Sequence, residues 1–140
     1  MNKKVLFSHG FPKRGEIYLV DFNRKREKEI FKIRSALVVS SNLQNEYDKQ
    51  ILITPISAEE DLTEEEIKLL PFLAVSISPA QETGLNKESK ILLHRIRAFP
   101  KGKPRMLECL GIVSPNILRQ VKETLKIFLI ENKINFHVYQ

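Results

Sequence analysis

One cysteine, Cys109, is all the thiol chemistry that the 140-residue chain carries. That excludes an intramolecular disulfide and a cysteine-rich zinc site, and it fits a reducing compartment. Long apolar runs are also missing: none approaches the roughly 20 residues that a membrane helix needs. The opening Met-Asn-Lys-Lys-Val-Leu-Phe-Ser-His-Gly has too short an apolar stretch for a secretory leader. A soluble, cytoplasmic protein with no membrane partner is expected. Low-complexity segments and internal repeats are absent too, so neither a solenoid nor a disordered linker array is indicated.

What the chain does have is the composition of one globular domain, 42% hydrophobic and 29% charged over 140 residues. The boundaries read as a lead over 1–12, a folded domain over 13–131 and a tail over 132–140. Its net charge of +6 is unevenly placed. From Asn23 to Arg34, the bases Arg24, Lys25, Arg26, Lys28, Lys32 and Arg34 face only Glu27 and Glu29, a local +4. From Arg95 to Arg105, five bases and no acid give a local +5, which leaves −3 for everything else. Clustered bases on a mildly acidic remainder are the pattern of a polyanion-binding surface, or of two solvated charged loops.

Glu16 to Phe22 alternates, with Ile17 and Leu19 on one face and Tyr18, Val20 and Phe22 on the other, and reads as a strand. Ser35 to Ser40 and Ile51 to Ile56 read as two more; Pro55 suits an end or edge of the latter. The basic stretch between the first two is a hairpin arm. Thr63 with Glu66 forms a capping box for one or two helical turns ending before Pro71. Phe72 to Ile77 and Ser89 to Phe99 read as strands, and Met106 to Val113 is a short apolar piece. Ser114 and Pro115 then open an amphipathic helix whose stripe is Ile117, Leu118, Val121, Leu125, Phe128 and Leu129. Mostly strands, no βαβ alternation and a terminal helix predict a small antiparallel barrel or sandwich.

The six acids from Glu59 to Glu66 sit on one short polar segment with no histidine, so neither a metal nor a cofactor is expected. Two of the three histidines, His9 and His137, lie near the ends, which leaves His94 as a general base or as a packed strand residue. Alternation along Lys90 to Arg97 places Arg95 and Arg97 side by side at a strand end, able to grip phosphates or to pair with surface acids. Arg34 ends the basic arm where the apolar strand begins, with its stem on the core and its head in a cleft. Ser57 ends the third strand and can donate into that cleft, and Glu29 in the arm is a conceivable base.

Six blocks in order carry a resemblance: Lys13-Arg14-Gly15-Glu16-Ile17-Tyr18-Leu19-Val20-Asp21-Phe22, Ile33-Arg34-Ser35-Ala36-Leu37-Val38-Val39-Ser40, Ile53-Thr54-Pro55-Ile56-Ser57, Gly84-Leu85-Asn86-Lys87-Glu88-Ser89, Leu92-Leu93-His94-Arg95-Ile96-Arg97 and Leu110-Gly111-Ile112-Val113-Ser114-Pro115. Over roughly 13 to 130 the chain resembles the MazF/PemK toxins, the endoribonucleases of bacterial toxin-antitoxin modules. The resemblance implies an SH3-like antiparallel β-barrel with a C-terminal helix and one or two short helices, working as a homodimer. It implies metal-independent cleavage of single-stranded RNA at short motifs, leaving a 2′,3′-cyclic phosphate and a 5′-hydroxyl. A cognate antitoxin is the implied partner, and DNA is reached only through an antitoxin complex at its operator.

By the same resemblance, the family's catalytic arginine falls on Arg34, its catalytic threonine on Ser57 and its loop glutamate on Glu29. Its RNA-contacting pair falls on Arg95 and Arg97, beside the basic arm of Arg24, Lys25, Arg26, Lys28 and Lys32. The chain departs from the family in having Ser35 where the family has proline, serine for threonine at 57, and Arg95 for glutamine. Glu27, Phe31 and Lys32 replace the glycines that flank the family's loop glutamate. The same small barrel is shared by toxins that poison DNA gyrase, so a binding protein without catalysis, acting on a protein or holding RNA or antitoxin, is the alternative.

Overall fold

The computed structural model describes residues 6–22 and 33–131. The elements run β1 (Glu16–Asp21), β2 (Ile33–Val38), α1 (Asn42–Tyr47), β3 (Gln50–Ala58), α2 (Glu64–Leu73), β4 (Ala74–Ile77), β5 (Ser89–Leu92), β6 (Arg97–Pro100), β7 (Met106–Ile112) and α3 (Pro115–Leu125). Single 3₁₀ turns occupy Glu59–Asp61 and Leu93–Arg95, and a π turn, Lys126–Glu131, extends α3. The class is mainly β with a C-terminal helix, as expected. No helix among the described residues is long and apolar enough to cross a membrane.

All strand pairs are antiparallel, in the order β4-β5-β3-β2-β1-β7, with β6 also on β3. The end strands β4 and β7 are not paired with each other among the described residues, so the expected barrel is an open sheet. Both faces are covered. Ile17, Leu37, Ile56, Val75, Ile91 and Val121 belong to one core, which α3 closes. Tyr18, Val20, Ala36, Val38, Ile53, Phe99 and Met106 form the other, flanked by Leu6, Phe7 and Phe22. Adjacent residues of β1 therefore enter different cores, as period-2 alternation requires. The Tyr18 hydroxyl donates to Glu16 Oε1 at 2.7 Å, and burial together with this bond pushes the phenol well above its ordinary range.

Pro55 lies inside β3 and not at its end. It stands opposite Ala36 of β2, but on its other side β6 pairs only Gln50–Ile53 and β5 only Ile56–Ala58. A residue without an N–H is tolerated where that ladder is interrupted. Pro71 likewise sits inside α2, which runs on to Leu73 and takes residues 72 and 73 out of the strand expected there. The capping box does form: Thr63 Oγ1 accepts from Glu66 N and Glu66 Oε1 from Thr63 N, both at 3.1 Å. Ser114 Oγ accepts from Ile117 N at 3.2 Å to start α3, as its sequence predicts. Ile117, Leu118, Val121 and Leu125 pack on the first core, but Leu129 is 59% exposed. The π turn adds a residue per turn and rotates the stripe off the sheet. The Phe128 side chain falls outside what is described.

Candidate active site

The β2–β3 ladder pairs Ser35 with Ile56, so the next pair outward joins Arg34 to Ser57. Their side chains extend the row of Ala36, Val38, Ile51 and Ile53 past the edge of the second core, on the same face by alternation. Arg34 is half-buried, and its Nη1 donates to Ser57 Oγ at 3.0 Å. The two meet in a cleft of about 350 Å³ lined by Ile33, Arg34, Ser35, Ile56, Ser57, Ala58 and Asp61. Ser57 is buried, 7% exposed, and lines that cleft. A hydroxyl that accepts from a guanidinium keeps its own proton to donate. The pair is thus a fixed positive charge and a neutral donor, set side by side and held by two strands that are themselves locked into the sheet.

The row continues across the sheet. Lys90 stands opposite Ser57, and Ser76 stands opposite Lys90. Lys90 Nζ donates to Ser76 Oγ at 2.5 Å and pairs with Glu59 Oε2 at 3.4 Å. Neither Lys90 nor Asp61 was singled out by sequence. Lys90 reaches the site through a pairing 33 residues distant, and Asp61 looks like one more acid of a solvated segment.

Ser89 to Phe99 is not one strand, and the expected side-by-side arrangement of Arg95 and Arg97 fails with it. The 3₁₀ turn at Leu93–Arg95 breaks the alternation, and Thr54 Oγ1 fastens the break by donating to Leu92 O at 2.6 Å. Arg95 Nη2 pairs with Glu66 Oε2 on α2 at 3.1 Å, with half its side chain still exposed. Arg97 starts β6 opposite Ile53, hence on the Arg34–Ser57 face, and stacks its guanidinium 4.5 Å from the Phe22 ring centroid. Ile53 and Ser57 are four residues apart on β3, so Arg97 lies about 13 Å along the sheet from the cleft. Part of the second basic segment has structural work: Lys101 Nζ donates to the carbonyls of Asn45 and Glu46 at the end of α1, at 2.8 and 3.0 Å.

His94 lies in the 3₁₀ turn and not in a strand, and it does not line the cleft. Its Nδ1 is buried without a hydrogen-bond partner. Burial holds its pKa below the ordinary value and the Arg95 charge adds to this, while Glu66 opposes it. Arg24, Lys25, Arg26, Lys28, Glu29 and Lys32 all lie outside the described residues, as does His137. Among the described residues, no three His, Cys, Asp or Glu side chains converge as a metal site would require.

The sequence model of the PemK-like, MazF-like toxins of type II toxin-antitoxin systems matches residues 13–129. No curated protein sequence matches. Among solved structures, MazE-MazF from Deinococcus radiodurans superposes with a TM-score of 0.63 at 19% identity, over 84% of this chain and 95% of that one. MazF alone from the same organism gives 0.61 at 22%, over 85% and 96%. An endoribonuclease in complex with its cognate antitoxin, from Mycobacterial species, gives 0.60 at 19%, over 84% and 92%. At these identities the superpositions establish a common fold.

Proposed function

Because this chain belongs to the PemK-like, MazF-like toxin family of type II toxin-antitoxin systems, we propose that it is an endoribonuclease. In this reading it cuts single-stranded RNA at short sequence motifs, without a metal, and leaves a 2′,3′-cyclic phosphate and a 5′-hydroxyl. The observation that carries the proposal is the Arg34 Nη1–Ser57 Oγ bond of 3.0 Å inside an open cleft.

Such cleavage has three requirements: a proton leaves the ribose 2′-hydroxyl, a phosphorane with added negative charge is stabilised, and the departing 5′-oxygen gains a proton. Arg34 and Ser57 meet the second. The guanidinium fork takes the non-bridging oxygens and the serine hydroxyl adds a neutral donor, both already in place before charge develops. The nucleophile belongs to the substrate, which makes ribose part of the requirement. Arg97 on the same face, Arg95, and the arm bases Arg24, Lys25, Arg26, Lys28 and Lys32 supply phosphate contacts along the strand.

A cognate antitoxin is the proposed protein partner, since one of the similar structures is described as an endoribonuclease in complex with its cognate antitoxin. An acidic antitoxin tail would compete with RNA for Arg34 and Arg97. The working unit is a homodimer in the cytoplasm, and DNA enters only through an antitoxin bound at its operator. To test the reading, purified protein is incubated with a long RNA, with and without EDTA, and separately with gyrase and supercoiled DNA. RNA cut at a recurring short motif in both buffers is the expected result. Intact RNA with gyrase-dependent DNA breaks would replace the nuclease with a toxin that acts on a protein.

A further inference from the structure

Neither member of the Arg34–Ser57 pair can accept the 2′-hydroxyl proton. A guanidinium stays protonated throughout the neutral range, and a serine hydroxyl is far too weak a base. Among the described residues, seven line the cleft, and of these two are ionisable, Arg34 and Asp61, with opposite charges. Asp61 ends the 3₁₀ turn that follows β3 directly, so it arises four residues after Ser57 on the same continuous piece of backbone. The turn is held by Glu59 N donating to Glu88 O at 3.0 Å and by Leu62 N donating to Glu59 O at 3.3 Å. Its other two acids are paired with lysines: Glu59 with Lys90 at 3.4 Å and Glu60 with Lys87 at 2.5 Å. The third acid, solvent-exposed and therefore open to a substrate, is on the cleft wall.

We propose that Asp61 is the general base of this cleft, a role that rests on the endoribonuclease reading. A carboxylate oxygen of Asp61 takes the proton of the 2′-hydroxyl as the O2′–P bond forms. The P–O5′ bond breaks, the 5′-oxygen leaves with the electron pair and is protonated by solvent water, and Asp61 later returns its proton to solvent. Arg34 stabilises the charge between these two events. Among the described residues, the charged groups beside Asp61 are Arg34 of β2 across the cleft, Lys87 from the loop before β5, and Glu59 and Glu60 of its own turn, which pair with Lys90 and Lys87. This assignment places the base on the described wall of the cleft and not on Glu29 of the arm.

Single-turnover cleavage of one defined RNA at neutral pH, over a range of RNA concentrations, tests the assignment, using the full chain and Asp61→Asn, Asp61→Glu, Glu29→Gln and Glu60→Gln. General-base catalysis is typically worth about 10²–10⁴-fold. Asp61→Asn is therefore expected to lose about a hundredfold or more in rate at neutral pH, with little change in half-saturating RNA. Asp61→Glu regains part of the rate, and Glu60→Gln behaves as the parent. A parent-like rate in Asp61→Asn, or the hundredfold loss appearing in Glu29→Gln instead, overturns the assignment while leaving the nuclease reading intact. A parent that cuts no RNA overturns both.

Discussion

Removing Arg34 and Ser57 singly and together measures whether they act as one device. Each preorganised donor to a developing oxyanion is worth about 2.7–4 kcal/mol, or 10²–10³ in rate. Arg34→Ala removes both the positive charge and the group that orients the serine, so a loss of about a thousandfold is expected. Ser57→Ala removes the neutral donor but leaves the guanidinium, and about a hundredfold is expected. The bond between them is 3.0 Å long, half-buried and charged on one side. Such bonds contribute about 1.5–3 kcal/mol. At about 1.4 kcal/mol per tenfold, the double variant should fall short of the product of the single losses by about ten- to a hundredfold. The assay is the single-turnover rate on a defined RNA, with melting temperatures showing that each variant is folded. Strictly multiplicative losses, or an Arg34→Ala protein as active as the parent, would refute the coupled site.

Three further outcomes follow from the packing and charges. A Cβ at Gly111 would meet the Glu82 carbonyl oxygen and one at Gly84 the Leu110 carbonyl oxygen, where Gly84 also has φ +75°. Either change to alanine should cost about 1–3 kcal/mol in denaturant unfolding, and unchanged midpoints would show that the loop does not pack on β7 as described. Arg97→Gln should reduce the salt slope of RNA binding by about 0.7, the value for one phosphate on a single strand, and an unchanged slope would remove Arg97 from the interface. Stability should fall on acidification in two stages. His94 has a folded pKa below its ordinary 6.5, so the unfolded chain takes up the extra proton, and stability rises with pH up to about 6.5 and then levels. For Glu66, burial pushes the pKa upward, but the Thr63 backbone bond and the Arg95 charge outweigh it. The net value lies below 4.5, so its contribution is present above about pH 4.5 and lost below. Thermal melts across pH 4–8 should show both stages, and His94→Gln should abolish the upper one.

The starts of α2 and α3 are legible in the sequence because the chain decides them within one turn, whereas α1, capped just as locally by Ser41, is not among the elements that the sequence predicts. Ser114 and Pro115 start α3 and the Thr63–Glu66 box starts α2 because the capping groups lie three residues from what they cap. Errors came where distant partners decide. Nothing within Ser89 to Phe99 announces a break, because the turn at Leu93–Arg95 is fastened by Thr54 on β3 and Glu66 on α2. The prolines mislead for the same reason: Pro55 is safe inside β3 only because that turn leaves its far side unpaired. For the site, the residues by themselves place the head of Arg34 in a cleft and Ser57 donating into it, with Glu29 as a further candidate. The family resemblance adds the catalytic roles, and the register of β2 on β3 supplies the cause of the adjacency. Lys90 and Asp61 were out of reach, since one depends on the β3–β5 register and the other on the direction in which a short acidic turn leaves the sheet.

The central claim is that an arginine and a serine in one cleft stabilise attack by the substrate's own 2′-oxygen. An RNA carrying a single deoxyribose immediately 5′ to a mapped scissile phosphate tests it most directly, because everything except the nucleophile is kept. Cleavage should vanish at that phosphate alone, while the all-ribose strand yields a 2′,3′-cyclic phosphate end. Cutting at the substituted position at the parent rate would contradict the account.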